Sequence, residues 1–254
     1  MPFVTVAGAR AQYVHRRPVP EAGPPVVFVH GAGGTHQHWL YQVRNLPHSP
    51  TYAPDLPGHG RSEGQGRDSI TAYGDWLVAF LNAVGEGQAV LVGHSMGGAI
   101  AMDVALRHAE RVAGLGLVAT GARLRVAPAI FEGIRQDPEA AVRLICDFAF
   151  GPETPPETVR LGRRQMGAIP PEVLHGDFAA CDAFSVMDRL GEVSAPAFVL
   201  CGTQDHLTPL KYSTYLREAI PGAVLHLVEG AGHMVMVERP EAVVEVLSSF
   251  LDNL

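Results

Sequence analysis

Cysteine and positive charge are both scarce in this sequence, and each shortage excludes a class of protein. Three cysteines occur in 254 residues, Cys146, Cys181 and Cys201. Because their number is odd and they lie far apart in the chain, they predict reduced, buried thiols in a cytoplasmic protein and not a disulfide framework. The 19 basic residues are outnumbered by 26 acidic ones, so the composition argues against nucleic acid as a partner.

Long apolar runs and metal-binding motifs are also missing. No apolar run approaches the roughly 20 residues that a membrane-spanning helix needs, so no stable membrane insertion is expected. Residues 1–12 have no basic start followed by an apolar core, and we therefore expect no signal peptide. Neither a Cys-x-x-Cys pair nor a His-Glu-x-x-His motif occurs, so no metal site is predicted.

Short apolar runs that alternate with helix-like stretches are the main feature that is present. Hydrophobic residues make up 47% of the chain and charged residues 18%, which is typical of a globular domain. Strand-like runs occupy residues 3–6, 12–15, 26–29, 51–55, 89–92, 115–119, 197–200 and 224–228. Helix-like stretches occupy residues 36–45, 71–84, 96–108, 210–219 and 240–251. The alternation predicts an α/β fold with a mostly parallel central sheet and helices on both faces.

One interval, residues 122–193, contains no strand-like run. It is too long for a loop in a compact domain, and it contains helix-like pieces separated by proline and glycine. We therefore expect residues 1–121 and 194–254 to form an α/β core, with residues 122–193 inserted as a helical cap. Phe148 and Phe178 of this interval are candidates for contact with a substrate, although apolar residues more often form the core of their own segment.

The segment 89–98 ends an apolar run in Gly-x-Ser-x-Gly and continues into a helix-like stretch. A serine on such a sharp strand-to-helix turn presents its hydroxyl as a nucleophile. Gly93 and Gly97 are needed because larger side chains would collide where the helix folds back across the strand. Ser95 is therefore the candidate nucleophile.

A serine hydroxyl needs a base that is oriented by a carboxylate. His233 lies in a loop after the last strand-like run and is the candidate base. His94 adjoins the serine but is expected to point away from it, and His30 and His59 are expected to shape glycine-rich loops. We expect all of these loops to lie near the carboxyl edge of the sheet.

Asp205 follows the strand-like run that ends at residue 200, and it is the candidate carboxylate. The chain order Ser95, Asp205, His233 is the order expected of this architecture. Asp55 is an alternative acid, but its surroundings favour a tight loop held by its side chain. Asp103 would point from the helix after the serine on the wrong side.

A glycine-rich loop at residues 30–34, His-Gly-Ala-Gly-Gly, follows the run 26–29. Its glycines allow backbone N–H groups to approach a ligand closely. We expect the N–H groups of Ala32 and Met96 to form an oxyanion hole, the second of them at a helix N-terminus. Gly31 and Met234 are further candidates for substrate contact.

Together with Asp-Leu-Pro-Gly-His-Gly-Arg-Ser at residues 55–62, these motifs resemble the α/β-hydrolase superfamily. The resemblance covers residue 26 to the C-terminus, and it is strongest to helix-capped bacterial serine carboxylesterases and monoacylglycerol-lipase-like enzymes. Gly34 departs from the glutamate often found there in those lipases. Serine at position 95 argues against the dehalogenase and epoxide hydrolase branches, which use aspartate, and Met234 replaces the tryptophan usual in carbon–carbon bond hydrolases.

The resemblance implies a cofactor-free serine hydrolase that cleaves carboxylic esters through an acyl-enzyme. The apolar composition of the interval 122–193 suggests small or medium acyl chains. Thioesterase, lactonase and carbon–carbon bond hydrolase activities use the same triad and stay open as alternatives. A slow or non-catalytic small-molecule receptor of the same fold is an alternative of another class. We expect a small-molecule ester as substrate and a monomer or homodimer.

Overall fold

One sheet of eight strands organises residues 2–18 and 23–254, which the computed structural model describes. The strands are β1 (Phe3–Val6), β2 (Ala9–Arg16), β3 (Val26–Val29), β4 (Thr51–Pro54), β5 (Ala89–His94), β6 (Val112–Val118), β7 (Ala197–Gly202) and β8 (Val224–Val228). Their spatial order is β1-β2-β4-β3-β5-β6-β7-β8. β2 pairs antiparallel with β1 and β4, and the other neighbours are parallel. The predicted mostly parallel sheet is confirmed.

The helices lie between successive strands, except for the last two, which follow β8. They are α1 (Leu40–Asn45), α2 (Ile70–Val84), α3 (Met96–Arg107), α4 (Pro128–Gln136), α5 (Pro138–Ala149), α6 (Pro156–Gly167), α7 (Pro171–Ala183), α8 (Leu210–Ala219), α9 (Val235–Glu238) and α10 (Pro240–Leu251). Short 3-10 helices occupy His36–Trp39, Ala109–Arg111 and Met187–Glu192. Among the described residues, no helix is long and apolar enough to cross a lipid bilayer.

The central strands are covered on both faces. Successive residues of a strand point to opposite faces, and the structure divides them between two apolar clusters. Val27 and Leu91 belong to the cluster that includes residues of α2, α3 and α8, whereas Val26 and Val90 belong to the cluster that includes residues of α1 and α10. Every residue of β3, β4 and β5 is buried, as expected of parallel strands between two layers of helices.

This topology determines where polar loops can meet. β3, β5, β6, β7 and β8 are neighbouring parallel strands, so the segments that follow them leave the sheet at the same edge. In open α/β sheets, ligands bind at this carboxyl edge. The loops that carry the candidate residues 32, 95, 205 and 233 all begin there.

Between β6 and β7 the chain forms the four helices α4–α7, and we call residues 122–193 the insertion. The strand-type pairing described within it is a single bridge between Arg123 and Ser185. The absence of a named strand agrees with the sequence pattern. The division of the chain into a core and a cap at its borders stays a prediction.

Several elements differ from the sequence prediction. β2 begins three positions earlier than predicted, at Ala9 and not at 12. Residues 36–45 form a 3-10 helix followed by α1, and the Asp55 carboxylate accepts the His36 N–H at 2.7 Å in that first turn. β6 begins three positions earlier than predicted, at Val112 and not at 115. Gly114 and Gly116 interrupt its apolar pattern because the rings of Phe250 and Phe198 lie where their Cβ atoms would be.

The three cysteines are free and buried, as predicted. Burial raises the pKa of the Cys146 and Cys201 thiols to about 11. Burial also raises the pKa of the Cys181 thiol. All three are therefore protonated at neutral pH and are poor nucleophiles.

Candidate active site

Ser95 lies in a strained turn between β5 and α3. Its φ is 52° and its ψ is −116°, a combination that costs a non-glycine residue about 1–3 kcal/mol. A Cβ at Gly93 would overlap the Gly97 carbonyl, and a Cβ at Gly97 would overlap the Val29 carbonyl oxygen. The two glycines therefore allow the helix to cross the strands closely enough to form the turn.

Hydrogen bonds hold the Ser95 backbone in this conformation. Its N–H donates to the Val118 carbonyl oxygen at 3.0 Å, and its carbonyl oxygen accepts the Thr120 hydroxyl at 2.7 Å. Both partners lie at or just beyond the end of β6. The strained turn is thus fixed by the neighbouring strand, and the Ser95 side chain is left facing a cavity.

His233 and Asp205 are in direct contact. The His233 Nδ1 lies 2.9 Å from Asp205 Oδ2 and 3.1 Å from Oδ1. Both side chains are almost fully buried. Because Nδ1 faces a carboxylate, it carries the proton when the ring is neutral, and Nε2 is then free to accept one.

Asp205 accepts several further hydrogen bonds. Its Oδ1 accepts the N–H groups of Leu207 and Thr208 at 2.9 and 2.8 Å, and its Oδ2 accepts the Thr208 hydroxyl at 2.8 Å. Burial by itself would raise the pKa of the Asp205 carboxyl. The adjacent His233 and the hydrogen bonds from Thr208 nevertheless hold that pKa below its usual range. Asp205 is therefore an anion at neutral pH and a fixed acceptor for the imidazole.

The loop that carries His233 is tied to the insertion. Glu238 accepts the Gly232 N–H at 3.1 Å, the Gly151 N–H at 2.9 Å and the Thr154 hydroxyl at 2.7 Å. A Cβ at Gly232 would overlap the Gly151 backbone nitrogen. The approach of these two segments is thus closer than any other residue type would permit.

The structure places Ser95 and His233 on the wall of one cavity of about 360 Å³. No hydrogen bond joins the Ser95 hydroxyl to the His233 ring among the described contacts. Such contacts are often long in ligand-free enzymes and shorten when substrate binds. The structure thus shows the His233–Asp205 contact directly and brings Ser95 to the same cavity.

Two backbone N–H groups are available beside Ser95. Met96 is the first residue of α3, and Ala32 follows β3 and lines the cavity. Neither N–H donates a hydrogen bond to another described residue. Unpaired donors at a helix N-terminus and in a glycine-rich loop are the arrangement that binds an oxyanion.

The loop 30–34 is held by hydrogen bonds at both ends. The Gly31 carbonyl oxygen accepts His30 Nδ1–H at 2.8 Å and the Gly34 N–H at 3.0 Å. The Gly33 N–H donates to Asp177 Oδ2 at 2.8 Å. Burial holds the pKa of His30 well below its usual value, so this ring is neutral and its Nε2 accepts the Leu56 N–H at 3.0 Å.

His94 has a role that the sequence did not indicate. Its ring lies 4.7 Å from the His233 ring, and its Nε2–H donates to the His233 carbonyl oxygen at 3.0 Å. The sequence prediction that His94 points away from the serine did not include this contact with His233. Burial, and then the nearby His233, hold the pKa of His94 well below its usual value. A neutral His94 therefore holds the His233 backbone through this hydrogen bond.

Of the four predicted substrate contacts, two line the cavity. Phe148 of α5 and Phe178 of α7 do so, together with apolar residues of the insertion. Gly31 and Met234 do not. Gly31 packs against Ser95, where a Cβ would lie 3.1 Å from the serine Cβ, and Met234 is buried with its N–H bonded to the Ala149 carbonyl oxygen at 3.1 Å.

The two alternative acids are occupied elsewhere. Asp55 Oδ1 contacts His36 Nδ1 at 2.8 Å, and Asp103 accepts Arg107 Nε–H at 2.9 Å and the Thr71 hydroxyl at 3.1 Å. Among the described hydrogen bonds and ion pairs, the His233 ring contacts Asp205 and neither of these two aspartates. Within residues 2–18 and 23–254, no group of three or more His, Cys, Asp or Glu side chains is arranged to hold a metal ion.

Sequence reasoning missed several polar residues around the site. The missed residues are Thr208, Asp177 and Glu238. For His94, the missed feature is its hydrogen bond to the His233 carbonyl oxygen. Thr208 lies three residues after Asp205, a spacing typical of turns held by an aspartate side chain. That signal was available in the sequence, whereas the contacts of Asp177 and Glu238 join segments far apart in the chain.

Known proteins resemble this chain in sequence and in fold. A family model described as "Alpha/beta hydrolase family" matches residues 26–246. A solved thermophilic esterase is 34% identical, with a TM-score of 0.89 over 99% of this chain and 97% of that one. A solved N-acyl homoserine lactone degrading enzyme is 28% identical, with a TM-score of 0.85 over 98% and 100%. The pimeloyl-[acyl-carrier protein] methyl ester esterase of Serratia marcescens is 28% identical over 89% of this chain and 93% of its own.

Proposed function

The chain belongs to the alpha/beta hydrolase family, and from that premise we propose that it hydrolyses carboxylic esters with Ser95 as the nucleophile. The observation that carries the proposal is one cavity bordered by both Ser95 and His233, with the His233 Nδ1 in contact with Asp205 at 2.9 Å. The unpaired Ala32 and Met96 N–H groups support the same proposal, since free donors in a glycine-rich loop and at a helix N-terminus are suited to bind an oxyanion.

In the proposed reaction, Ser95 Oγ attacks the ester carbonyl carbon while its proton moves to His233 Nε2. Asp205 keeps the His233 Nδ1 proton in place and stabilises the imidazolium that forms. The carbonyl oxygen becomes an oxyanion, which accepts hydrogen bonds from the Ala32 and Met96 N–H groups. When the tetrahedral intermediate collapses, the ester C–O bond breaks and His233 returns the proton to the leaving alcohol.

The second half of the reaction releases the acid. Water attacks the acyl-enzyme as His233 takes its proton, and the same two N–H groups stabilise the second oxyanion. The bond between the acyl group and Ser95 then breaks, and the serine recovers its proton from His233. Every proton transfer uses His233 Nε2, so the Asp205 contact at Nδ1 must persist throughout.

The cavity supports a small or medium acyl chain. Its volume of about 360 Å³ lies near the lower end of the range for ligand pockets. Most of its wall is apolar, with the side chains of Ile130, Leu144, Phe148 and Phe178 contributed by the insertion. We propose that residues 122–193 form a cap whose inner face binds the acyl group.

Lactone hydrolysis is the second candidate function. A lactone is a cyclic ester, so the same attack by Ser95 opens the ring and leaves the alcohol on the acyl group. The solved N-acyl homoserine lactone degrading enzyme that is 28% identical favours this candidate. Ester and lactone hydrolysis must be distinguished by comparing substrates and not by substituting residues, because both reactions use the same side chains.

The test is turnover of a substrate panel by the wild type, Ser95→Ala and Ser249→Ala. Ser249 lies on the exposed side of α10 and provides the matched serine control. The panel comprises p-nitrophenyl acetate, butyrate and octanoate, a thioester, and an N-acyl homoserine lactone. We expect ester turnover that Ser95→Ala removes and Ser249→Ala retains, with butyrate preferred to octanoate.

Other outcomes contradict the proposal in identifiable ways. Turnover retained by Ser95→Ala would refute Ser95 as the nucleophile. A kcat/KM for the lactone or thioester that exceeds every ester value would assign the alternative hydrolase activity. Turnover below about one per second on the whole panel, far under ordinary enzyme rates, together with tight ligand binding, would indicate a receptor.

A further inference from the structure

A buried carboxylate of the insertion contacts the loop that carries Ala32. Asp177 on α7 is fully buried. Its Oδ2 accepts the Gly33 N–H and also contacts His59 Nε2, each at 2.8 Å, and its Oδ1 accepts the Tyr73 hydroxyl at 2.6 Å. These partners belong to the loop after β3, the loop after β4 and helix α2. One side chain thus joins the insertion to three segments around the sheet.

The contact between Asp177 and His59 is an ion pair. His59 Nδ1 lies 3.0 Å from the Pro57 carbonyl oxygen and Nε2 faces the carboxylate. Both ring nitrogens therefore face acceptors, an arrangement that favours the doubly protonated, charged ring. Burial lowers the pKa of His59, but the charge and hydrogen bond of Asp177 raise it more, so the net pKa is above its usual value. The charge of Asp55 also raises the pKa of His59. The centres of the His30 and Tyr73 rings lie 4.8 and 6.5 Å from the centre of the His59 ring.

Helix α7 is packed unusually close to these loops. A Cβ at Gly33 would lie 2.7 Å from Leu174 Cδ1, and a Cβ at Gly58 would lie 3.0 Å from Val173 Cγ2. On the helix itself, a Cβ at Gly176 would lie 2.9 Å from the Arg67 carbonyl oxygen. The approach is closer than ordinary side chains permit, so the Asp177 contacts are part of a fitted interface.

The hydrogen bonds of the loop restrict the peptide units on both sides of Ala32. The Gly31 carbonyl, which belongs to the same peptide as the Ala32 N–H, accepts two hydrogen bonds within the loop. The following peptide donates its N–H, that of Gly33, to Asp177. Gly33 has a φ of 63°, and glycine can adopt many other conformations. Without the carboxylate, nothing else described accepts that N–H.

We propose that Asp177 is a positioning residue for the oxyanion hole. By accepting the Gly33 N–H and contacting His59 Nε2, it fixes the direction of the Ala32 N–H. The inference rests on the proposed function, since it requires the Ala32 N–H to bind the oxyanion. It also gives the insertion a second role: α7 lines the acyl cavity with Phe178 and, one residue earlier, holds the loop that stabilises the transition state.

The test measures the transition-state step separately from substrate binding. Asp177→Asn keeps the side-chain volume, removes the charge and leaves a single acceptor oxygen, which cannot accept both the Tyr73 hydroxyl and the Gly33 N–H in the present geometry. Kinetics with p-nitrophenyl butyrate are normalised to active sites titrated with a fluorophosphonate, so a loss of folded protein does not count. The inhibition constant of an alkyl trifluoromethyl ketone, which forms an oxyanion adduct on the serine, is measured in parallel. Glu172→Gln, an exposed residue on the same helix, is the matched control.

We expect kcat per titrated site to fall about ten- to a hundred-fold in Asp177→Asn, because losing one oxyanion donor entirely costs about 10²–10³-fold. KM should change less than about three-fold, since uniform substrate binding is unaffected. The ketone inhibition constant should rise by the same factor as kcat/KM falls. Glu172→Gln should match the wild type. A second variant, Tyr73→Phe, removes one donor to the carboxylate and should lower kcat about three- to ten-fold.

Three results would overturn the inference. They are a kcat per site in Asp177→Asn within two-fold of the wild type, a rise in KM with no change in kcat, and an unchanged ketone inhibition constant. If Asp177→Asn does not fold, an unchanged kcat in Tyr73→Phe overturns it. The Ser95→Ala enzyme distinguishes a failure of the proposed function from a failure of the positioning role. Esterase activity that survives in Ser95→Ala refutes the proposed function. Activity that is lost in Ser95→Ala but kept in the Asp177 variant refutes only the positioning role of Asp177.

Discussion

Replacing Asp205 by asparagine has an outcome that the structure defines in detail. Oδ1 of Asp205 accepts the N–H groups of Leu207 and Thr208, and Oδ2 faces His233 Nδ1. The asparagine oxygen must take the place of Oδ1, because an amide NH₂ there would face two donors. The NH₂ group then faces Nδ1, which can accept it only without its own proton. The ring proton moves to Nε2, where Ser95 requires an unprotonated base.

The size of the effect follows from this change of tautomer. In a serine protease of another fold, the corresponding substitution lowers kcat about 10⁴-fold, or about 5.5 kcal/mol of transition-state stabilisation. We expect Asp205→Asn to lower kcat/KM for p-nitrophenyl butyrate about 10³- to 10⁴-fold at neutral pH. The assay is steady-state kinetics per titrated site, with the exposed Asp188→Asn as control. Activity of Asp205→Asn within ten-fold of the wild type would refute the assigned role of the carboxylate.

Three further predictions concern other parts of the site. Thr208→Val removes the hydroxyl that donates to Asp205 Oδ2 at 2.8 Å. Because hydrogen bonds to charged groups contribute about 1.5–3 kcal/mol, kcat should fall about ten- to a hundred-fold in steady-state assays. An unchanged kcat would contradict this prediction. Gly93→Ala should lower the melting temperature severely or prevent folding, since the added Cβ would overlap backbone atoms. Gly87→Ala, where an added Cβ would have no atom within 4 Å, should have the melting temperature of the wild type. Equal melting temperatures for the two variants would be inconsistent with the tight turn. Folding raises the pKa of His59, so the stabilising contribution of the charged ring is complete below its unfolded pKa of about 6.5 and is lost as the pH rises through the folded pKa. The free energy of unfolding, measured with denaturant, should therefore differ more between the wild type and His59→Gln at pH 6 than at pH 9. A difference that does not depend on pH would argue against the ion pair.

The parts of the fold that follow from local pattern were predictable from the sequence. The alternation of apolar runs and helix-like stretches predicted the parallel sheet, and the position of residues 95, 205 and 233 just after strand-like runs predicted that their loops lie at the carboxyl edge. Gly93 and Gly97 on either side of Ser95 indicated the sharp turn, because no other residue fits the crossing of strand and helix. The contact between His233 and Asp205 then followed from the ends of two neighbouring strands.

Contacts that depend on the packing of the insertion were not predictable in this way. Asp177 reaches Gly33 across 144 positions of sequence, and nothing in its neighbours distinguishes it from an exposed aspartate on a helix. Its burial depends on how α7 settles on two core loops, which is a property of tertiary packing. The same reason explains why Phe148 and Phe178 line the cavity and Met234 does not: their side-chain directions depend on the orientation of each segment.

The central claim is that Ser95 becomes covalently acylated during turnover. Rapid quenching of the enzyme with p-nitrophenyl butyrate, followed by intact-mass measurement and peptide mapping, tests it most directly. We expect one butyryl group per chain on the peptide that contains Ser95, and none on the Ser95→Ala enzyme. Continued turnover with no acylated intermediate, or with the acyl group on another residue, would contradict it.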